Sequence, residues 1–290
     1  MATKEDIQFH YDVDNNFYQS FLDKTYRAYS CGVWRTAETL ELAQQHKLDR
    51  LCRFANVSRG DAILDVGCGW GGLMERAIQK FGASSAHGLT LSADQTSFIK
   101  ELARPDISVD LRSWQDFNSF TNHYDAIISI GAFEHFASLE DRQLNRHRDV
   151  YKKFFQWCRK VSKDDAHVAL QTIVTSRQPR TLSEVRDTRY LLEKVFPGSA
   201  LPSISDIQAS VSDVYEISSA KRIGLDYART LSHWEARLKE HEQETINNYG
   251  RPLYDHYMSY FSQARRSFEA GVVDLYQISL QPVKQARVVF

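Results

Sequence analysis

The sequence predicts an α/β fold, a doubly wound Rossmann-like sheet with a helical cap drawn from both ends of the chain. Three observations predict it. Strand and helix patterns alternate between residues 62 and 174. The first of those strands ends in Asp65 and runs into glycines at 67, 69, 71 and 72. Long helical patterns lie on both sides of the alternating core.

Residues 14–22 are rich in aromatic side chains and read as a helix. Residues 40–55 read as a second, with Leu40, Ala43, Leu48, Leu51 and Cys52 near helical spacing. The apolar run 62–66 reads as a buried strand. The glycines behind it let the backbone turn sharply and approach a ligand closely. Residues 73–81 then form a helix whose N-terminus points at that ligand. A strand over 85–89, a helix over 94–102 and a strand over 107–111 follow. Residues 124–130 are the strongest buried strand, followed by a helix over 148–161 and a strand over 167–174. This alternation implies an open parallel sheet covered on both faces. Its ligands sit outside the carboxyl ends of the strands, near the switch point. The glycine turn lies at such an end.

After residue 174 the pattern turns helical. Residues 183–195 read as a helix stopped by Pro197-Gly198. A long helix over 227–248 carries Tyr227, Leu231, Trp234 and Leu238 on one stripe. Another over 252–270 has Pro252 in its first turn and Leu253, Tyr257, Phe261, Ala264 and Phe268 along one face. Residues 274–281 close as a strand. The chain is thus expected to be one domain: an N-terminal helical cap over 1–55, a cofactor-binding core over 56–175, a helical substrate cap over 176–270, and a closing strand and tail over 271–290.

At 290 residues the chain can bury a large core. Hydrophobic residues make up 42% and charged residues 25%, as in ordinary globular proteins. The net charge of −1 and pI near 6.8 give no global field for nucleic acid or an anionic membrane. No run is apolar and long enough to span a bilayer, and residues 1–5 carry no signal pattern. Cys31, Cys52, Cys68 and Cys158 have neither metal-ligand nor disulfide-framework spacing. No metal is expected, and a reduced, cytoplasmic compartment is the simplest reading. The oligomeric state is left open, a homo-oligomer included.

A glycine-rich turn is weak evidence alone, because nucleotide-binding and structural turns share it. The form Asp65-Val66-Gly67-Cys68-Gly69-Trp70-Gly71-Gly72 is similar to that of S-adenosylmethionine (SAM) dependent methyltransferases. After the second strand, where an acid often holds ribose hydroxyls, the sequence reads His87-Gly88-Leu89-Thr90-Leu91-Ser92. Thr90 or Ser92 and the amide of Gln95 would have to serve, though Ser92 reads equally well as a helix cap. Glu134 and His135 follow the strong strand. A carboxylate placed there needs a partner, which favours a functional Glu134, whereas His135 reads as a packed or surface residue. Cys31 reads as a small core hydrophobe.

Together these residues resemble the cyclopropane fatty acyl phospholipid synthase and mycolic acid cyclopropane synthase family of methyltransferases. The matching stretches are His10-Tyr11-Asp12-Val13, Tyr29-Ser30-Cys31, the Leu64 to Gly72 loop, Gly88 to Ser92 with Gln95, Ala132-Phe133-Glu134-His135-Phe136, Phe196-Pro197-Gly198 with Leu201-Pro202-Ser203, and Tyr227-Ala228-Arg229-Thr230-Leu231. The resemblance implies a SAM site formed by Tyr29, Ser30, the Asp65-to-Gly69 turn with Gly67, Cys68 and Gly69, then Thr90, Leu91, Gln95 and Trp114. It also implies a bicarbonate site at Cys31, the Ile130 backbone, Glu134 and Tyr227. The family's usual His-Thr-Ile reads Gln171-Thr172-Ile173 here, and a neutral amide offers no imidazolium to an anion. The segment 138–149 is longer and more charged than the family loop, and no separate lipid domain is expected ahead of the fold.

The chemistry so implied is attack of a carbon–carbon double bond on the sulfonium methyl, where most of the catalysis is positioning. Gln171 shifts the expectation towards C-methylation of an apolar small molecule, such as a prenyl or polyketide product. Cyclopropanation of a lipid acyl chain comes second and N-methylation of an alkaloid-like amine third. A nucleic-acid substrate is not expected, because the motif after the fourth strand is wrong for it and no basic groove is evident.

Overall fold

The computed structural model describes residues 15–283. The His10-Tyr11-Asp12-Val13 stretch, the expectations on residues 1–5 and the tail beyond 283 lie outside the described residues.

The alternating core folds as its apolar pattern requires. Strands β1 (Ala62–Val66), β2 (Ser85–Thr90), β3 (Ile107–Leu111), β4 (Tyr124–Ile130) and β5 (Ser162–Thr175) are parallel neighbours. Two more strands, β6 (Tyr215–Arg222) and β7 (Val273–Pro282), extend the sheet on the β5 side. The full order is β3-β2-β1-β4-β5-β7-β6, with β7 antiparallel to both of its neighbours. The parallel reading therefore holds for the five neighbours β1 to β5; β7 runs against them, and β6, antiparallel to β7, runs in their direction again. Side chains alternate between the faces, as strand geometry demands. Leu64, Val66 and Ile127 enter the core on one face; Ile63, Ala126 and Ile128 enter the core on the other.

Helices α1 (Asn15–Gln19) and α2 (Leu40–Phe54) precede the sheet. Next come α3 (Gly72–Arg76), prolonged by a π-turn over Ala77–Phe81, and α4 (Ala93–Glu101). A short α5 (Leu139–Gln143) and α6 (His147–Val161) join β4 to β5. The remaining helices are α7 (Leu182–Tyr190), α8 (Ile204–Val211), α9 (Gly224–Glu240), α10 (Glu242–Tyr249) and α11 (Arg251–Glu269). An aromatic third core, with Phe17, Phe21, Trp234, Tyr257 and Phe261 at its centre, joins α1 to α9 and α11 above the sheet. Arginine–carboxylate pairs fasten this cap. Arg237 on α9 holds Glu41 on α2 at 2.9 and 2.9 Å. Arg266 on α11 holds Asp187 on α7 at 2.8 and 2.8 Å. The Arg266 pair is a fork of two parallel bonds, from Nε and Nη2, which fixes orientation as well as distance; Arg237 reaches both Glu41 oxygens from Nη2 alone. No helix among the described residues is long and apolar enough to cross a membrane.

The structure corrects the helical reading of 176–270. β6 lies within that segment, and its sequence Tyr-Glu-Ile-Ser-Ser-Ala-Lys-Arg holds one β-branched residue. It is an edge strand with one partner, so it needs little apolar pattern. α8 also escapes periodicity at 8 residues, although Ser203 and Asp206 form a capping box at its start. The single helix expected over 227–248 divides at His241, where no Gly or Pro marks the break.

β7 and α9 meet at Asp274. This buried carboxylate accepts from the backbone N–H of Gly224 at 3.0 Å and of Leu275 at 2.8 Å, and pairs with Arg222. An acid at a helix N-terminus also meets the favourable end of the dipole. Asp274→Ala leaves those N–H groups unpaired and should destabilise the protein by about 2–4 kcal/mol. Urea unfolding should show a lower midpoint at unchanged slope, and a loss below about 0.5 kcal/mol would make the contact incidental.

Candidate active site

The first loop of the site is made by β1. Gly67 and Gly69 have positive φ, 84° and 54°, in the region that favours glycine. A Cβ on Gly67 would stand 2.5 Å from the Cβ of Ala132, in the loop after β4. A Cβ on Gly69 meets nothing within 4 Å, so that glycine leaves open space rather than tight packing. The chain leaves β1 towards one face, where Leu73 and Met74 pack, and leaves β4 towards the other, where Phe133 and Phe136 pack. A crevice opens between the two ends.

That crevice is a cavity partly open to solvent. Tyr29, Ser30, Asp65, Gly67, Cys68, Gly69, Thr90, Leu91, Gln95 and Trp114 all line it, and so does Ile130. Strand neighbours lie about 4.8 Å apart, so the walls from β3 across to β4 span roughly 14 Å. At the β2–β3 side, the Thr90 hydroxyl donates to Gln95 Oε1 at 2.6 Å, leaving the Gln95 NH₂ to donate elsewhere. Ser92 accepts from the Gln95 N–H and caps α4, so the capping reading holds for it. The indole N–H of Trp114 is buried without a partner. At the β1 side, Asp65 is buried and one carboxylate oxygen has no partner. Burial pushes its pKa up to about 7, with Lys47 pulling the other way.

Lys47 and Gln44 were not anticipated. They lie on the buried stripe of α2 between Ala43 and Leu48, so the amphipathic pattern itself held the signal. Gln44 donates to the Ser30 carbonyl at 2.7 Å, and Lys47 Nζ donates to the Ser30 hydroxyl at 2.8 Å. Burial pulls the Lys47 pKa down to about 8, against the opposite effect of Asp23, Cys31 and Asp65. His135 lines the cavity too, bonds Ser199 through Nδ1 at 2.8 Å, and is held neutral by burial, its pKa pushed down to about 4.

Beside the cavity, at the ends of β4 and β5, the second group of residues gathers. Ile130 stands opposite Gln171 in the strand register. Glu134 sits in a 3₁₀ turn after β4 and accepts from the Ile173 N–H on β5 at 2.7 Å. Its other oxygen is buried without a partner, and burial raises its pKa to about 7. Cys31 is fully buried and its thiol is pushed well up by burial, so it is no thiolate. Its carbonyl faces Gln171 Nε2 at 3.5 Å. Tyr227 lies one turn before Thr230, whose hydroxyl accepts from the Gly32 N–H at 3.1 Å. The Tyr260 phenol bonds both Tyr29 and Tyr227.

Gln171 belongs to a relay that sequence reasoning missed. Arg50 donates to Gln277 Oε1 at 3.0 Å, and Gln277 Nε2 donates to Gln171 Oε1 at 2.7 Å. An arginine can only donate. That fixes which end of each amide points where, and leaves Gln171 presenting its NH₂ towards Cys31. Arg50 and Gln277 are far from any motif in sequence, and no local signal marks them.

The burial of the Glu134 carboxylate, with one oxygen left without a partner, has a measurable consequence. Its folded-state pKa, about 7, lies above the ordinary 4.5. Stability it contributes is therefore full below pH 4.5 and lost as pH rises through about 7. Glu134→Gln should stabilise the ligand-free protein at pH 8 by about 1–3 kcal/mol and by almost nothing in acid. Paired unfolding curves across that range test this, and a gain independent of pH would contradict it.

The family model described as mycolic acid cyclopropane synthetase matches residues 1–278. Cyclopropane mycolic acid synthase 2 of Mycobacterium leprae is 35% identical, over 95% of this chain and 93% of its own. The S-adenosylmethionine-dependent methyltransferase UmaA of Mycobacterium tuberculosis is 33% identical over 95% of this chain and 96% of its own. The solved structure of the cyclopropane synthase MmaA2 from M. tuberculosis superposes with a TM-score of 0.87 at 32% identity, covering 96% of this chain and 98% of that one. A structure of the mycolic acid cyclopropane synthase CmaA1 complexed with SAH and CTAB gives 0.85 at 30% identity, covering 96% and 98%. A geranyl diphosphate C-methyltransferase from Streptomyces coelicolor, at 16% identity and a TM-score of 0.69, shares the fold alone. With a glycine turn, a switch-point cavity and this likeness over nearly its whole described length, the chain belongs to the mycolic acid cyclopropane synthetase family of SAM-dependent methyltransferases.

Proposed function

We propose that this enzyme methylates a carbon–carbon double bond in an unsaturated lipid acyl chain and closes the product to a cyclopropane. The observation that carries this reading is the convergence of Cys31, Ile130, Glu134 and Gln171 where β4 and β5 end beside the cavity. This reverses the order expected from residue 171 alone. C-methylation without ring closure is the second reading, and the neutral amide at residue 171 favours it.

The cavity suits SAM by its donor set: a buried acid and a buried ammonium at the β1 side, and Thr90, Gln95 and an unpartnered indole N–H towards β3. When bound, SAM supplies an electrophilic methyl group. The chain's own part is to hold the cofactor across the strand ends, from Trp114 near β3 to Ser30 and Asp65 near β1. The aromatic cap excludes water above it. Tyr29 links the two, since it lines the cavity and packs 5.2 Å from Trp234 in the cap. Aromatic faces stabilise a neighbouring cation, so Tyr29 and Tyr227 suit the positive charge that develops on the substrate. The Glu134 carboxylate adds charge stabilisation in a dry site.

Cys31, the Ile130 backbone, Glu134, Tyr227 and Gln171 are assigned to an anion site that would take bicarbonate, which supplies a weak base when bound. The free Glu134 oxygen can accept a bicarbonate hydroxyl. Gln171 and Tyr227 can donate to the anion. The orientation forced by Arg50 gives this neutral donor at every pH, whereas an imidazole changes its charge as it titrates.

Purified protein should be incubated with SAM and vesicles of cis-unsaturated phospholipid, with and without bicarbonate. The expected product gains one CH₂ and resists ozone, and its formation slows by about tenfold when bicarbonate is removed. A product that ozone still cleaves, formed at a bicarbonate-independent rate, would favour the second reading. Gln277→Leu unlocks the Gln171 amide. It should weaken the bicarbonate response by about threefold to tenfold while leaving SAM affinity unchanged. Equal loss of both would show Gln277 to be a packing residue.

A further inference from the structure

Four cationic or potentially cationic side chains line the cavity: Arg27, Lys47, Arg112 and His135. Their positions divide their roles. Arg27 is engaged by Glu75 and lies over the Phe98 ring. Arg112 is exposed beyond β3, and its backbone N–H bonds the Thr90 carbonyl. His135 is neutral. Lys47 is buried at 1% exposure, and its ammonium donates to the hydroxyl of Ser30. An ammonium has three protons to donate. The acids around it do not use them up. Asp23 takes the Tyr26 and Ala28 backbone N–H groups at 2.6 and 2.8 Å, and Asp65 keeps one oxygen unpartnered.

The wall near β1 thus holds a buried cation and a buried anion, each with bonding capacity to spare. SAM ends in an amino acid that carries both charges. Taking its carboxylate out of water is costly without a cation to receive it. We propose that Lys47, together with the Ser30 hydroxyl it holds, binds the α-carboxylate of SAM, while Asp65 faces the α-ammonium. The two protein charges then complement the two ligand charges, and the site gains specificity for an intact amino-acid end. The inference rests on the SAM reading of this cavity.

Three ligands separate the possibilities by calorimetry: SAM, decarboxylated SAM, and 5′-methylthioadenosine, which lacks the amino acid altogether. The wild-type protein should bind SAM at least about tenfold more tightly than decarboxylated SAM. In Lys47→Met that preference should shrink to within about threefold, while 5′-methylthioadenosine changes by less than about threefold. Lys47→Gln serves if the Met variant does not fold. A wild-type protein that does not discriminate between SAM and decarboxylated SAM overturns the proposal without any variant. So does a folded Lys47 variant that keeps full discrimination, or one that weakens all three ligands alike, as a purely structural lysine would. If 5′-methylthioadenosine binds neither protein, the adenosyl site fails and the proposal falls with it. If it binds both while discrimination persists in the variant, only the role of Lys47 is lost.

Discussion

The opposite exits of β1 and β4 are the constraint on which the rest depends. Each strand is buried on both faces, so the helix that follows must choose one. The chain after β1 chooses the face of Leu73 and Met74, and the chain after β4 the face of Phe133 and Phe136. Where they part, the loops pass closely enough that Gly67 and Ala132 leave no room for one more methyl. The cavity follows from that divergence. So does the position of Glu134, which the 3₁₀ turn after β4 delivers to the Ile173 N–H of the next strand.

Charge is then handled by incomplete pairing. Asp65, Glu134 and Lys47 are all buried, and burial moves each pKa towards neutrality. A protein selected only for stability would pair such groups fully or replace them with apolar ones. Here each retains bonding capacity at the wall of the site or beside it. The Arg50–Gln277–Gln171 relay works differently, since its bonds run end to end and set a direction. Its charge lies at the far end, at Arg50, and what reaches the site is an oriented neutral donor. The aromatic cap closes over these groups and is held by arginine–carboxylate pairs that join separate helices.

Much of this was legible in the sequence because it is local. The apolar runs and the glycine turn specify β1, β4 and the crevice between them. The motif residues from Tyr29 to Trp114 sit in short segments, and the strand ends bring them together. Three things were not legible. β6 is an edge strand that needs only one partner and so carries little pattern. The break at His241 has no Gly or Pro to mark it. Arg50 and Gln277 reach Gln171 through tertiary contact across 121 and 106 positions, where no spacing rule operates. Lys47 is the instructive case. It lies on the apolar stripe of α2, and a charged residue at a buried helical position is itself a signal.

The proposed function requires SAM to lie across the ends of β3, β2, β1 and β4, with its reactive end beside Glu134 and Gln171. The direct measurement is a crystal structure with S-adenosylhomocysteine bound. The adenine should lie against Trp114, the sulfur on the Cys31 and Glu134 side of the cavity, and the amino-acid end between Ser30, Lys47 and Asp65. A ligand lying in the reverse direction, or bound away from the Gly67 turn, would contradict this placement.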